Sequence, residues 1–453
     1  MTKGRFTVVG GGPVGALLAI LLGRHGYEVG LYEGRPDSRS TSIYQGKSIN
    51  IALSDRGWCA LEQIGIGSDV KAEAIPMYHR AIHGLNGELS ALPYGNEDDA
   101  IWSVSRGGIN EQLLDAADAE PNIKSHFEHW LVDVDFETAS AVFKVQREHE
   151  ITVDADYLFG ADGARSKVRR LAHNLPRFSY SQEYMPQSYI ELNIPANPDG
   201  SHKLEKNALH IWPRKHFMLI ALPNPDGSFT CTLFLNFSGD PSFEALQERS
   251  AVKAFFESNF ADAMDFLEDP VDVFMEKTAS PLFLVQVFPW SFNRKVGLIG
   301  DAAHAIVPFY GQGMNCGFED CAELNRLIEI HDHDWGAIFP AYENARKPNG
   351  DAIAELSKQN FVEMSDLSGD RMFQLRKMIE AKFSNRYPEL WKPLYSMVTF
   401  SPDVPYSEAL RIGDEQNRVM EKIMALPGIE DDWDKQYVMD RLFSLASDAF
   451  GDQ

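Results

Sequence analysis

Residues 6–35, FTVVGGGPVGALLAILLGRHGYEVGLYEGR, read as a strand, a glycine-rich turn, a helix, a second strand and a closing acid. Gly10, Gly12 and Gly15 form a GxGxxG that follows the apolar run Phe6–Val9 and opens a helix expected to end near His25. Gly10 serves the tight turn, Gly12 lets the backbone approach a pyrophosphate, and Gly15 permits close helix–strand packing. The pyrophosphate would rest on the helix N-terminus, where unpaired N–H groups and the helix dipole favour an anion. Glu33 ends the second strand at the spacing of an acid that bonds ribose hydroxyls. It would repel a phosphorylated ribose, so FAD or NAD is expected at this turn rather than NADP.

The remaining composition sets bounds. The chain has 453 residues, enough for one to three domains, and its 44% hydrophobic and 24% charged content is that of a soluble globular protein. Forty-two basic against 66 acidic residues leave a net charge of −24, which argues against nucleic acid and anionic membrane surfaces as partners. Cys59, Cys231, Cys316 and Cys321 show no CxxC or ligand-like clustering, so reduced thiols and no metal site are expected. The first strand begins within about five residues of the N-terminus, leaving no room for a signal peptide. The longest apolar stretch, Ala16–Leu22, is too short to span a bilayer, and a cytoplasmic protein is expected.

Along the chain the fold class reads as α/β (α+β overall). A Rossmann-like dinucleotide domain is interrupted by an antiparallel-sheet domain, and a helical part follows. Helices are expected over Asp55–Leu61 and Arg106–Ala117, and strands over residues 141–149 and 151–159. Between 174 and 290, Tyr189–Leu192, Ala208–Trp212, His216–Leu222 and Phe229–Phe237 read as short strands separated by turn signals such as Asn224-Pro-Asp-Gly227. Helical stretches are expected at 312–330, 336–346 and 348–375. The prolines around LYSMVTFSPDVPY predict an extended or irregular Tyr395–Ser401. The expected domains are 1–173 and 291–345 for the nucleotide, 174–290 for the substrate, and a helical 346–453 that covers the active site.

Two more segments follow strands: Gly160-Ala-Asp162-Gly163-Ala-Arg165-Ser166, and Val296-Gly-Leu-Ile-Gly300-Asp301-Ala-Ala-His304 with Gly311-Gln312-Gly313 behind it. Together with the first turn, they resemble the GxGxxG, DG and GD motifs of the single-component FAD aromatic hydroxylases. The resemblance implies FAD as cofactor and NADPH as transient reductant, although no second GxGxxG is present for a nicotinamide. Asp301 would meet ribityl or ribose hydroxyls as a charged acceptor. The turn Gly311, Gln312, Gly313, Met314 and Asn315 precedes a helix and would offer N–H groups to the flavin. Arg106 resembles the family arginine that reaches the pyrophosphate; taken alone it reads as a solvated surface residue. Asp162 is similar to the acid that links the FAD region to NAD(P)H, and reads equally as a helix N-cap.

Gly46-Lys-Ser-Ile-Asn50-Ile-Ala-Leu-Ser54-Asp-Arg56-Gly57, Pro93–Gly95, Ile101-Trp102-Ser103 and Leu394–Phe400 are similar to stretches of the kynurenine 3-monooxygenase family, and this resemblance runs to about residue 405. It implies Arg80 and Tyr94 on the carboxylate of L-kynurenine, Asn360 and Tyr395 completing the polar side, and Ile220, Leu222, Phe234 and Met364 as the apolar wall. The implied reaction is hydroxylation ortho to the aniline nitrogen with NADPH and O2, through a flavin C4a-hydroperoxide, giving 3-hydroxykynurenine. The aniline lone pair activates the ring, so no side chain is assigned as acid or base, Tyr310 included. The C-terminal segment does not resemble the hydrophobic tail of the eukaryotic enzymes, so the expected match is to the soluble bacterial form. A homodimer is carried forward as an assembly to test. Alternatives left open are a hydroxylase of a substituted kynurenine or other aminoaryl acid, an FAD dehydrogenase or reductase, and a flavin-binding interaction protein.

Overall fold

The computed structural model describes residues 3–40, 50–95, 98–367 and 370–451, so Gly46–Ile49 of the motif above lie outside the described residues. The chain forms two compact units. One comprises Met1–Ile75, Trp102–Met185 and Leu282–Ser357; the other Pro76–Ile101, Pro186–Pro281 and Lys358–Gln453.

The first unit is built on a six-stranded sheet, in the order Ser291–Phe292, Val296–Leu298, Tyr157–Gly160, Arg5–Val9, Glu28–Tyr32 and Ile123–His126. All neighbours are parallel except the short antiparallel edge at Ser291–Phe292. Parallel strands are covered on both faces and therefore read as apolar runs rather than alternations. Phe6 to Val9 are accordingly all buried. The helix Pro13–Arg24 has proline in its first turn, where the missing N–H costs nothing, and buries Gly15 through Gly23 without a break.

The second unit draws on a seven-stranded mixed sheet in which, after the edge strand Ser280–Phe288, six strands run Ser179–Ile194, Phe229–Asn236, Phe217–Pro223, Ala208–Arg214, His79–His83 and Leu89–Pro93. Pairing among those six is antiparallel except between Ala208–Arg214 and His79–His83. One face bears Trp212, Leu219, Ala221, Cys231 and Leu233, packed with Val252, Phe255 and Phe256 of the helix Arg249–Asn259. Register defines the other face. Ile82 opposes Ile211, Ile211 opposes Ile220, and Met218 opposes Phe234. Side chains two apart share a face, so Arg80, Ile220, Leu222 and Phe234 all point away from that core.

Several elements differ from the sequence expectation. Residues 141–149 turn early: Gln146 and Arg147 both have positive φ (48° and 62°), so Ser140–Val145 and His149–Val153 make a hairpin. The stretch 151–159 then ends one strand and begins another at Tyr157. The helices expected at 336–346 and 348–375 are one helix to Ser365, with Pro340 and Pro348 inside it. A mid-helix proline costs about 3 kcal/mol. Burial of Ile338, Phe339, Tyr342, Ile353 and Leu356 on either side of Pro348 outweighs that cost. Tyr395–Ser401 is not irregular: Leu394–Phe400 is a helix, with Pro393 at its N-cap. Proline stops a helix from behind but is accommodated at its start.

Leu233 lies mid-strand with no exposed surface. Leu233→Ala is expected to cost about 2–5 kcal/mol, the range for a buried leucine. Urea unfolding should show it as a lower midpoint.

Candidate functional site

The first unit gathers one set of candidate residues at the ends of its parallel strands. A Cβ at Gly15 would stand 1.9 Å from the Gly10 carbonyl oxygen, and one at Gly10 would stand 2.4 Å from that of Ala161. These two glycines are demanded by the chain's own crossing. Gly12 differs, since a Cβ there meets nothing within 4 Å. Gly12 is the helix N-cap, and the open space where its side chain would stand leaves the backbone accessible from outside, as an FAD pyrophosphate requires. Glu33 accepts from the Gly11 N–H (2.9 Å) through Oε2 and from the Arg35 backbone N–H (2.9 Å) through Oε1. Burial opposes its ionisation, but Arg35 and the Gly11 N–H hold its carboxyl below the usual range.

Asp301 opens the short helix Asp301–His304 behind Gly300, whose φ of 60° and ψ of −144° suit glycine. Burial raises the Asp301 pKa, against the charges of Arg106, His304 and Arg169. Arg106 is exposed at the first turn of Arg106–Ala119, after the cap Ser105, and its charge reaches Asp301. Gly311 is left-handed (φ 67°) and Gln312 caps the helix Gly313–Ile330. Its first-turn N–H groups, at Gly313, Met314 and Asn315, have no intrahelical acceptor. The Asn315 side chain is committed to the chain itself: it donates to Ala52 O (2.9 Å) and Gly311 O (2.7 Å) and accepts from the Ser54 N–H (3.0 Å). Asp162 serves the helix Lys167–Ala172, accepting from Ser166 Oγ (2.5 Å), Lys167 N (2.6 Å) and Val168 N (3.1 Å). The N-cap itself is Ser166, whose Oγ accepts from the Arg169 N–H (2.9 Å), so Asp162 is not the N-cap residue but binds the first-turn N–H groups from four residues before it.

The second unit gathers the other set. Arg80 is 4% exposed, and its guanidinium lies over the rings of Tyr395 (4.8 Å) and Tyr94 (5.6 Å). Those rings stack on each other at 5.1 Å. The Tyr94 hydroxyl is buried without a hydrogen-bond partner among the described residues. Asn360 is buried and donates to Met364 Sδ (3.4 Å). Glu363 escaped the sequence reading. Its carboxylate accepts from Arg80 (2.9 Å) and pairs with Lys377 (3.2 Å). Burial disfavours its charge, yet Lys377 and Arg80 pull its pKa down to about 2. Helical spacing carried the signal, since Asn360, Glu363 and Met364 stand at i, i+3 and i+4.

A family model described as an FAD binding domain matches residues 5–357. Among solved structures, 2-methyl-3-hydroxypyridine-5-carboxylic acid oxygenase superposes with a TM-score of 0.65 at 22% identity, covering 83% of this chain and 95% of that one. A p-nitrophenol 4-monooxygenase from Pseudomonas putida gives 0.68 at 18%, covering 90% and 98%. The class is therefore an FAD-binding protein with the aromatic hydroxylase fold. Sequence relatives are more specific. The kynurenine 3-monooxygenase of Flavobacterium johnsoniae is 48% identical over 98% of this chain and 99% of its own length. That of Myxococcus xanthus is 42% identical over 95% and 93%. The chain belongs to the kynurenine 3-monooxygenase family of FAD-dependent monooxygenases. No described helix is long and apolar enough to cross a membrane.

Gly12→Ala should leave the melting temperature of the flavin-stripped protein unchanged while weakening FAD binding about tenfold or more, a loss of about 1.4 kcal/mol read by flavin fluorescence. Gly15→Ala should instead destabilise the fold by about 3 kcal/mol, because backbone must move. The depressed Glu363 pKa means that the unfolded chain binds more protons below the ordinary carboxylate pKa. The pair's contribution to stability is therefore present at neutral pH and falls away as pH drops toward 2. Acid titration of Glu363→Gln should show a shallower loss of stability across that interval than the parent protein.

Proposed function

We propose that this chain hydroxylates L-kynurenine to 3-hydroxykynurenine with FAD, NADPH and O2. The observation that carries the reading is the buried Arg80, flanked by Tyr94 and Tyr395 on the same sheet face as Ile220, Leu222 and Phe234. An aromatic amino acid needs this combination of a fixed cation for its carboxylate and an apolar wall for its ring. The name shared by relatives up to 48% identical supports the same substrate.

When bound, FAD supplies the oxygen-activating chemistry, with NADPH as its reductant. The protein's work is positional. Arg80 binds the substrate carboxylate as a directional, charge-assisted donor, and the buried Tyr94 hydroxyl donates beside it. Glu363, held ionised by Lys377, accepts from the α-ammonium. Asn360 and Tyr395 complete the polar side. Ile220, Leu222, Phe234 and Met364 hold the ring and exclude water. The aniline nitrogen activates its own ortho carbon, so no side chain serves as acid or base. At the cofactor, Gly10, Gly12 and Gly15 shape the pyrophosphate turn, Glu33 and Asp301 bind hydroxyls, and Arg106 neutralises phosphate. Gly311–Asn315 offer backbone N–H groups, and Asp162 holds the turn after Gly160. The four unpaired cysteines and the acidic net charge support a cytoplasmic setting without nucleic acid or membrane as partner.

NADPH oxidation by the purified protein, with and without L-kynurenine, tests the function. Stimulation with a product heavier by one oxygen and little H2O2 is expected. Stimulation with mostly H2O2 would point to a related aminoaryl acid, and flavin reduction without oxygen transfer to a dehydrogenase. Arg80→Met should raise the kynurenine Kd by about tenfold or more, the worth of a hydrogen bond to a charged group, while FAD stays bound. An unchanged Kd would remove Arg80 from the pocket.

A further inference from the structure

Behind the Gly300–Asp301 turn lies a cluster of charges that the proposed function leaves unused. Asp320 is fully buried, with His304 and Arg346 each 3% exposed beside it. Its Oδ2 accepts from the Gly300 N–H (3.1 Å) and from His304 Nε2 (2.5 Å), and its Oδ1 from Arg346 Nε (2.6 Å). Arg346 also donates to Glu319 Oε2 (3.2 Å), and Glu319 in turn accepts from the buried Arg56 (2.8 Å). The three partners of Asp320 come from different parts of the chain: the strand-end glycine, the helix Asp301–His304 and the helix Trp335–Ser365.

Such a network is costly unless every member is satisfied, and similar volume filled with apolar side chains would often be as stable. What apolar side chains could not supply is the acceptor for Gly300. That bond holds a backbone conformation with φ of 60° and ψ of −144°. The helix it launches has four residues, too few to set its own direction. The direction of Asp301 is therefore imposed from behind. Since a carboxylate only accepts, His304 must carry its hydrogen on Nε2. Its ring stacks on Trp290 at 5.0 Å, and Nδ1 faces Cys316 Sγ at 3.9 Å. His304, Cys316 and Asp320 offer three metal-type donor atoms within 4.8 Å. Arg346 donates to both the Cys316 sulfur (3.4 Å) and Asp320, which places a guanidinium where a cation would have to sit.

We infer that Asp320, clamped by His304 and Arg346, is a positioning residue for the flavin: it pre-sets the Gly300 turn so that Asp301 meets a hydroxyl of FAD without reorganisation. The inference rests on the FAD-binding part of the proposed function and not on the substrate.

The test uses protein stripped of flavin and retitrated with FAD, followed by fluorescence. His304→Phe keeps the stack on Trp290 but cannot donate. His304→Gln places an amide N–H near the position of Nε2. The Phe variant should bind FAD about tenfold more weakly or worse, and the Gln variant should recover most of that loss. A folded Phe variant with a lower melting temperature but an unchanged FAD Kd would overturn the inference, as would failure of Gln to rescue. Should the Phe variant not fold, hydrogen exchange at the Gly300 amide of the parent protein decides. Slow exchange before FAD is added is expected; fast exchange that slows only with FAD overturns the inference. A parent protein that takes up no FAD would overturn both this inference and the cofactor on which it rests.

Discussion

The distance of 1.9 Å between a Cβ that Gly15 lacks and the Gly10 carbonyl oxygen governs much of the first unit. With that methyl absent, the helix Pro13–Arg24 lies directly against the turn that launches it. Its N-terminal N–H groups then emerge at Gly12. The parallel register does the rest. Val9 is level with Tyr32 on one side and with Gly160 on the other, and Gly160 is level with Leu298. Four strand ends therefore finish in one row, and the residues just beyond them form one edge: Gly10–Gly12, Glu33, Ala161–Gly163 and Gly300–Asp301. In a parallel sheet this edge is where ligands bind. The three motifs, far apart in sequence, form one site because their strands are in register.

The second unit solves a different problem, since its sheet has two buried apolar faces and only one of them packs on the helix Arg249–Asn259. Alternation assigns Trp212, Leu219, Ala221 and Leu233 to the packed side and Ile220, Leu222 and Phe234 to the other. The buried apolar residues on the second face differ little in burial from those of the core, with Leu222 at 8% and Phe234 at 3%. What separates the faces is the polar company they keep. Arg80 appears on the second face, and the residues after 358 bring Asn360, Glu363 and Tyr395 within this unit.

Local signals carried the fold a long way. The GxGxxG turn, the strand before each later motif and the hairpin signal at Asn224–Gly227 all depend on near neighbours in sequence, and such features are legible there. The misreadings occurred where tertiary burial overrode a local rule. The sequence suggests separate helices at 336–346 and 348–375, but the apolar residues around Pro348 are buried deeply enough to keep one helix. Pro393 was read as disrupting the segment it in fact starts. The site was legible to the extent that family resemblance transferred it. Glu363 was missed although its helical spacing from Asn360 was in plain view, because a charged residue on a helix is usually solvated. Its ionic partners Arg80 and Lys377 come from other elements, 283 residues before it in the first case. No local pattern announces that pairing.

The two buried charge clusters differ in a way that assigns them different work. Around Asp320, both carboxylate oxygens are engaged by a backbone N–H, an imidazole and a guanidinium, and Arg346 is shared with Glu319. A network satisfied in this way resists rearrangement and defines geometry for its neighbours. Around Arg80, one carboxylate is engaged, two aromatic rings present their faces, and the Tyr94 hydroxyl is buried with no hydrogen-bond partner among the described residues. An unsatisfied buried hydroxyl costs about 1–3 kcal/mol, a penalty that a ligand carboxylate can relieve on binding. The first cluster is thus complete in the chain alone and suited to holding a turn in place. The second leaves the Tyr94 hydroxyl unsatisfied among the described residues, which suits the zwitterionic aromatic ligand proposed for it.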